Sequence, residues 1–219
     1  IYQCDWSSDV CSSDLLMTHA PGKVDDTSRR IGELIAARVT DASTLQLGIG
    51  GVPDAVLASL THRRDMRVWT EMFSDGVLDL FKVGALDSDV PITASFLFGS
   101  QELYDWAHMN KRVRMLRTEK TNDPGQIARQ ARMTSVNAAL QVDLLDQANA
   151  SRMKGKIYSG FGGSTDFIVG ALHSRGGQSF IALHSWHPKA NVSTIVPLLK
   201  EPVTSFQRSE EHTSELQSH

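Results

Sequence analysis

Glu71 stands in the run Trp69-Thr70-Glu71-Met72-Phe73-Ser74-Asp75-Gly76, at the end of an apolar, strand-like stretch. An acidic side chain at a strand's C-terminal edge, between Met72 and Phe73, is partly desolvated, and desolvation strengthens a carboxylate as a nucleophile. From the residues alone, the same position reads more readily as a structural glutamate paired with an arginine. Asp75, directly before Gly76, has the type and place of a turn or helix-cap residue. Two glycine turns could bring backbone close to a ligand: Leu47-Gly48-Ile49-Gly50-Gly51 and Ser159-Gly160-Phe161-Gly162-Gly163. Each follows a strand-like segment, where open α/β sheets bind ligands. Neither is a dinucleotide fingerprint or a P-loop, and each alone is also an ordinary tight turn.

Other chemistries lack their residues. His62, His108, His173, His184 and His187 have no metal-binding spacing, and no G-x-S-x-G elbow supports a serine hydrolase. Arg112, Arg114, Arg117 and Lys120 read as a solvated edge.

These residues need elements to hold them. Helices are expected over Thr27–Val39, capped by Asp26 or Thr27, over Asp54–Leu60 behind Pro53, and over Val77–Val83, which Gly84 ends. Further helices are expected over Ser100–Trp106, from Asp123-Pro124, and over Thr165–Leu172. Strands are expected at Thr44–Leu47, Arg67–Glu71, Ile92–Phe98, Val113–Leu116, Ser179–Leu183 and Ser193–Val196, with two short ones in Ser135–Leu145. Strand and helix alternate, so the fold class is α/β: an open, largely parallel sheet with flanking helices, truncated.

The two ends read differently. Residues 5–15 (DWSSDVCSSDL) and 208–219 (RSEEHTSELQSH) are polar, Ser-rich and without helical or strand periodicity. A coding string for the tail, reverse-complemented and shifted in frame, translates to DWSSDVCSSD. That string resembles a common short-read sequencing adapter. Residues 1–15 and 208–219 are therefore expected to be adapter-derived and poorly packed, leaving 16–207 as an incomplete domain. Cys4 and Cys11, the two cysteines, both fall in the head, so no disulfide, thiolate metal site or cysteine nucleophile is expected. The formal charge of −3 becomes about +2 without the ends, too little for a general nucleic-acid field. Apolar residues make up 41%, enough for a core, and no apolar run reaches the ~18–20 residues of a membrane span.

Five segments in order carry a resemblance: LQLGIGGVPDAVL, TEMFSDGVLDLF, TSVNAALQVDL, SGFGGSTDFIVGALHSRGG and STIVPLL. Together, from about Thr27 to Gln207, they resemble the C-terminal domain of the acetyl-CoA hydrolase/transferase family, whose characterised types include 4-hydroxybutyrate and acetate-dependent CoA-transferases. The resemblance implies a ping-pong transfer of CoA between carboxylic acids through a glutamyl–CoA thioester on Glu71. It implies that Gly160, Gly162 and Gly163 supply part of an oxyanion hole and contact CoA, and that Gly48, Gly50 and Gly51 lie beside the pantetheine and nucleotide path. Gln46 is then the candidate to orient Glu71, and Asn137 matches a family asparagine near the active site. Ser164 stands where many relatives carry glutamine. The implied substrates are acyl-CoA and small carboxylates such as acetate or 4-hydroxybutyrate, with no permanently bound cofactor and no metal. The full-length protein is expected to be a cytoplasmic homodimer with no nucleic-acid or membrane partner. Hydrolysis through the same glutamate, or CoA binding without catalysis, are the alternatives. This truncated chain is expected to be inactive or weak.

Overall fold

The computed structural model describes residues 17–19, 24–160 and 162–201, together with the backbone alone of 213–216. The helix Asp26–Ala36 begins where the Asp25 side chain accepts the Ser28 N–H at 2.7 Å, a cap that stabilises a helix by about 1 kcal/mol. The cap is thus one residue earlier than the composition suggested. Ile31 and Ile35 from this helix pack with Val56 and Leu57 of the helix Gly51–Ser59 and with Leu45 of the strand Thr44–Leu47. Gly50 caps the second helix at φ 117°, a backbone angle side-chain-bearing residues rarely adopt, so the turn needs glycine there.

The central sheet is parallel throughout. Its order is Thr213–Leu216, Gln178–Ala182, Met133–Ala138, Thr44–Leu47, Arg67–Val68. An isolated bridge from Trp69 to Thr93 joins it to Ile92–Ala94, which pairs in parallel with Val113–Met115. Most of these strands are buried, with polar Thr44, Gln46, Thr134, Ser135 and Ser179 buried among the apolar residues. Helices cover the sheet, among them Asp75–Lys82, Gln101–Ala107, Pro124–Ala128 and Ser164–His173. Gln141–Asp143 forms a small second sheet, parallel to Ile195–Val196 and antiparallel to Ala148–Asn149. The α/β architecture with a largely parallel sheet is as expected.

Several expectations need correction, among them the strand expected over Ser193–Val196, which is split into Val192–Ser193, antiparallel to Trp186–His187, and Ile195–Val196 in another sheet. The stretch Arg67–Glu71 is not one strand: pairing stops after Trp69 and resumes at Met72–Phe73 against Phe96–Leu97. The Glu71 carbonyl accepts both the Ser95 and Phe96 N–H groups at 2.9 Å, and this shared acceptor breaks the ladder at Glu71 and likewise splits the expected strand Ile92–Phe98 at Ser95. The tail also carries a strand that its composition did not suggest. Thr213–Leu216 pairs with Gln178–Ala182 because an open sheet edge offers unpaired N–H and C=O groups to any extended segment. The head, residues 1–15, lies outside the described residues. Among the described residues no helix is long and apolar enough to cross a membrane.

Candidate active site

The break in the strand turns Glu71 out of the ladder. Its Oε2 accepts two hydrogen bonds, from Asn122 Nδ2 at 2.9 Å and from the Gly163 N–H at 3.1 Å. No hydrogen bond to Oε1 occurs among the described residues. The three groups come from distant segments. Glu71 sits at the strand break, Asn122 at the C-terminal cap of the short helix Thr118–Thr121, and Gly163 at the N-terminal cap of Ser164–His173. The last position also sets the carboxylate at a helix N-terminus, where the dipole favours negative charge. Gly163 has an ordinary φ of −84°, so backbone conformation does not demand glycine. Space does: a Cβ there would lie 2.3 Å from Glu71 Oε2 and 2.3 Å from Asn122 Nδ2.

Asp166, in the first turn of the same helix, is a second carboxyl group near this point. Burial, and then the charge of Glu71, raise its pKa above the ordinary 3.8. Asp75 is differently placed. Its carboxylate accepts from the Ser100 N–H and hydroxyl, tying two helix starts together; it is the first residue of its helix, whose cap is Ser74 rather than Asp75.

The remaining expected site residues divide. Gln46 and Asn137 are brought together, but with Ser135 rather than with Glu71. Ser135 donates to Gln46 Oε1 at 2.6 Å and accepts from Asn137 Nδ2 at 2.8 Å, on adjacent strands whose register pairs Gln46 with Ser135. The hydrogen bonds of Gln46 are thus spent inside the sheet, and the amide that meets Glu71 belongs to Asn122. Gly48 follows Leu47, whose carbonyl accepts the Thr70 hydroxyl at 3.3 Å, so that turn begins beside the residue preceding Glu71. Gly50 lines a cleft of about 370 Å³ with Asp54, Ser74 and Asp75. Gly51 is the first residue of its helix. Gly160 and Gly162 are exposed, and of the second glycine turn only Gly163 reaches Glu71. His184 hydrogen-bonds Ser28 at 2.9 Å and anchors the first helix.

Asn122 was missed from sequence. It precedes Asp123-Pro124, a pair that signals a turn and drew attention to the next helix rather than to the residue before it.

Comparison with known proteins agrees with this architecture. The acetyl-CoA hydrolase/transferase C-terminal domain matches residues 99–213. The 4-hydroxybutyrate coenzyme A transferase of Clostridium kluyveri is 39% identical over 196 residues, 87% of this chain and 46% of that protein. An acetyl-CoA hydrolase of Kluyveromyces lactis is 32% identical over 70% of this chain and 30% of its own length. Among solved structures, RipA from Yersinia pestis superposes with a TM-score of 0.81 at 33% identity, covering 87% of this chain and 44% of that one. A 4-hydroxybutyrate CoA-transferase from Porphyromonas gingivalis gives 0.75 at 35% identity, covering 86% and 46%. The chain spans less than half the length of these relatives. On the match over residues 99–213, the chain belongs to the acetyl-CoA hydrolase/transferase family.

Proposed function

We propose that this domain carries the nucleophile of an acyl-CoA:carboxylate CoA-transferase acting on acetate, 4-hydroxybutyrate or a similar small acid. The observation that supports it is the asymmetric holding of Glu71. Both donors converge on Oε2, leaving Oε1 as the attacking atom. Oε1 adds to the acyl-CoA thioester carbonyl; the C–S bond breaks, CoA leaves as thiolate, and a mixed anhydride remains. The thiolate then attacks the Glu71 carbonyl carbon. The anhydride C–O bond to that carbon breaks, the donor acid departs as carboxylate, and a glutamyl–CoA thioester forms. An acceptor carboxylate reverses both steps.

In the step at the Glu71 carbon, negative charge develops on Oε2. Asn122 Nδ2 and the Gly163 N–H already point at that atom, so they suit an oxyanion hole that needs no rearrangement during reaction. No proton has to move, which suits a carboxylate better than any histidine-activated group. CoA enters as substrate, and the chemistry calls for no resident cofactor. The glycine turns at Gly48–Gly51 and Gly160–Gly163 would then flank the incoming CoA, and the activity of the whole protein would need the part of its relatives that this chain does not span.

The test is to treat the full-length protein with acyl-CoA, reduce with borohydride, and locate the modified residue by peptide mass spectrometry. Modification at Glu71 alone is the expected outcome; label on Asp75 or Asp166 would sink the assignment. CoA release that depends on added acetate marks transfer, and release without an acceptor marks hydrolysis.

A further inference from the structure

Glu71 lies on a closed ring of hydrogen bonds that begins at its backbone and ends at its carboxylate. Its carbonyl oxygen accepts the Ser95 N–H at 2.9 Å. The Ser95 hydroxyl meets the Thr121 hydroxyl at 2.6 Å, and Thr121 Oγ1 lies 3.0 Å from Asn122 Oδ1. Asn122 Nδ2 then donates to Glu71 Oε2 at 2.9 Å. Thr121 is fully buried, and its backbone is pinned from the other side, where the Trp69 indole N–H donates to the Thr121 carbonyl at 2.9 Å.

We propose that Ser95 and Thr121 are positioning residues, a hydroxyl relay that fixes which end of the Asn122 amide faces Glu71. This rests on the reading of Glu71 as nucleophile. An asparagine side chain is a donor at one end and an acceptor at the other, so rotation by half a turn would set an oxygen against the carboxylate. Thr121 has one hydroxyl proton. Its candidate acceptors are Ser95 Oγ at 2.6 Å, Asn122 Oδ1 at 3.0 Å and the Thr118 carbonyl at 3.3 Å. Donation to Asn122 leaves the Thr121 oxygen to accept from Ser95, so every hydroxyl in the relay has a partner. With Asn122 Nδ2 donating to the carboxylate, which can only accept, Oδ1 faces Thr121, and donation by Thr121 and then by Ser95 satisfies each side-chain link of the ring. The two hydroxyls touch neither Glu71 Oε1 nor Oε2 and act through Asn122.

The relay is tested on the 219-residue chain, labelled with ¹⁵N, by the solvent exchange of the Asn122 side-chain amide, which is identified by its disappearance in Asn122→Asp. Thr121→Val removes the hydroxyl with little change in shape and should speed that exchange about tenfold, the scale of one lost hydrogen bond. Thr121→Ser keeps the hydroxyl and should restore the wild-type rate. A folded Thr121→Val protein with unchanged Asn122 exchange and chemical shifts overturns the proposal. If Thr121→Val does not fold, Ser95→Ala decides: faster Asn122 exchange supports the relay, and an unchanged rate overturns it. Failure of the nucleophile reading looks different, because it leaves the exchange result in place while no adduct forms at Glu71.

Discussion

Among the carboxylates held by neutral hydrogen-bond donors, Asp143 and Glu71 are held differently. Asp143, only 2% exposed, is saturated on both oxygens. Oδ1 accepts the Leu145 and Gln147 N–H groups at 3.0 Å, and Oδ2 accepts Gln147 Nε2 and the Leu199 N–H at 3.0 Å. Glu71 is half-buried and takes both its bonds on one oxygen. A carboxylate with every lone pair engaged has nothing left with which to attack, and its donors lock a loop in place. One held on a single oxygen is oriented but still reactive. The distribution of donors, more than burial, separates the structural acid from the proposed nucleophile.

The largest effect should come from removing the free oxygen. In the full-length protein, Glu71→Gln keeps the volume but loses the proposed nucleophile, and kcat should fall by at least about a thousandfold while CoA binding persists. Steady-state kinetics beside a CoA-binding isotherm check this; an active glutamine variant would erase the contrast with Asp143. Glu71→Asp should retain partial activity, since the carboxylate survives but is withdrawn by one methylene.

Next in size is the crowding of the held oxygen. Gly163→Ala puts a methyl group 2.3 Å from both Oε2 and Asn122 Nδ2, so the carboxylate or the amide must move. We expect kcat to drop about a hundredfold, the scale of one misplaced oxyanion donor, with the melting temperature little changed. A variant with wild-type kcat would mean that Oε2 does not need its present partners.

The counterpart on the other carboxylate is a stability effect. Burial pushes the Asp143 carboxyl up, but donation from Leu199, Gln147 and Leu145 outweighs it, and the net pKa lies below the ordinary 3.8. A depressed carboxyl stabilises the fold above its unfolded pKa, and that contribution is lost as pH falls through the folded value. Asp143→Ala should therefore cost about 3 kcal/mol at neutral pH by urea denaturation of the chain, and less in acid. A loss that stays constant down to the lowest pH at which the chain folds would show that the charge is not what holds the loop.

The sequence carried the frame of this comparison better than its contacts. The strand Thr44–Leu47 and the helix starts at Ser100 and Asp123 were legible because each rests on local signals: a β-rich run before glycines, or a capping side chain before a helix. The strand break at Glu71 was not, since its cause is Ser95 and Phe96 donating from a neighbouring strand. Asn122 was hidden for the same reason, its partner being 51 positions away. Gln46 looked suited to Glu71 because it precedes a glycine turn, yet parallel register pairs it with Ser135. The short helix Thr118–Thr121 has too few residues for a hydrophobic period to appear.

The smallest expected effect concerns the cost of placing a second acid near the proposed nucleophile. Asp166 makes no hydrogen bond among the described residues, and its pKa is raised first by burial and then by Glu71. A carboxyl whose folded pKa exceeds the unfolded value binds its proton more tightly in the native state. The fold therefore loses stability as pH rises from the unfolded pKa through the folded one, and the penalty is complete above it. Asp166→Asn removes the charge at nearly constant shape. It should raise the melting temperature of the chain by about 1–2 °C at neutral pH, with the gain shrinking toward zero below the ordinary 3.8. Because part of the penalty is the Glu71 charge, the gain should be smaller in a Glu71→Gln background. Additive effects of the two substitutions would mean that the carboxylates do not sense each other, and Asp166 would then be an isolated surface acid rather than a neighbour of the site.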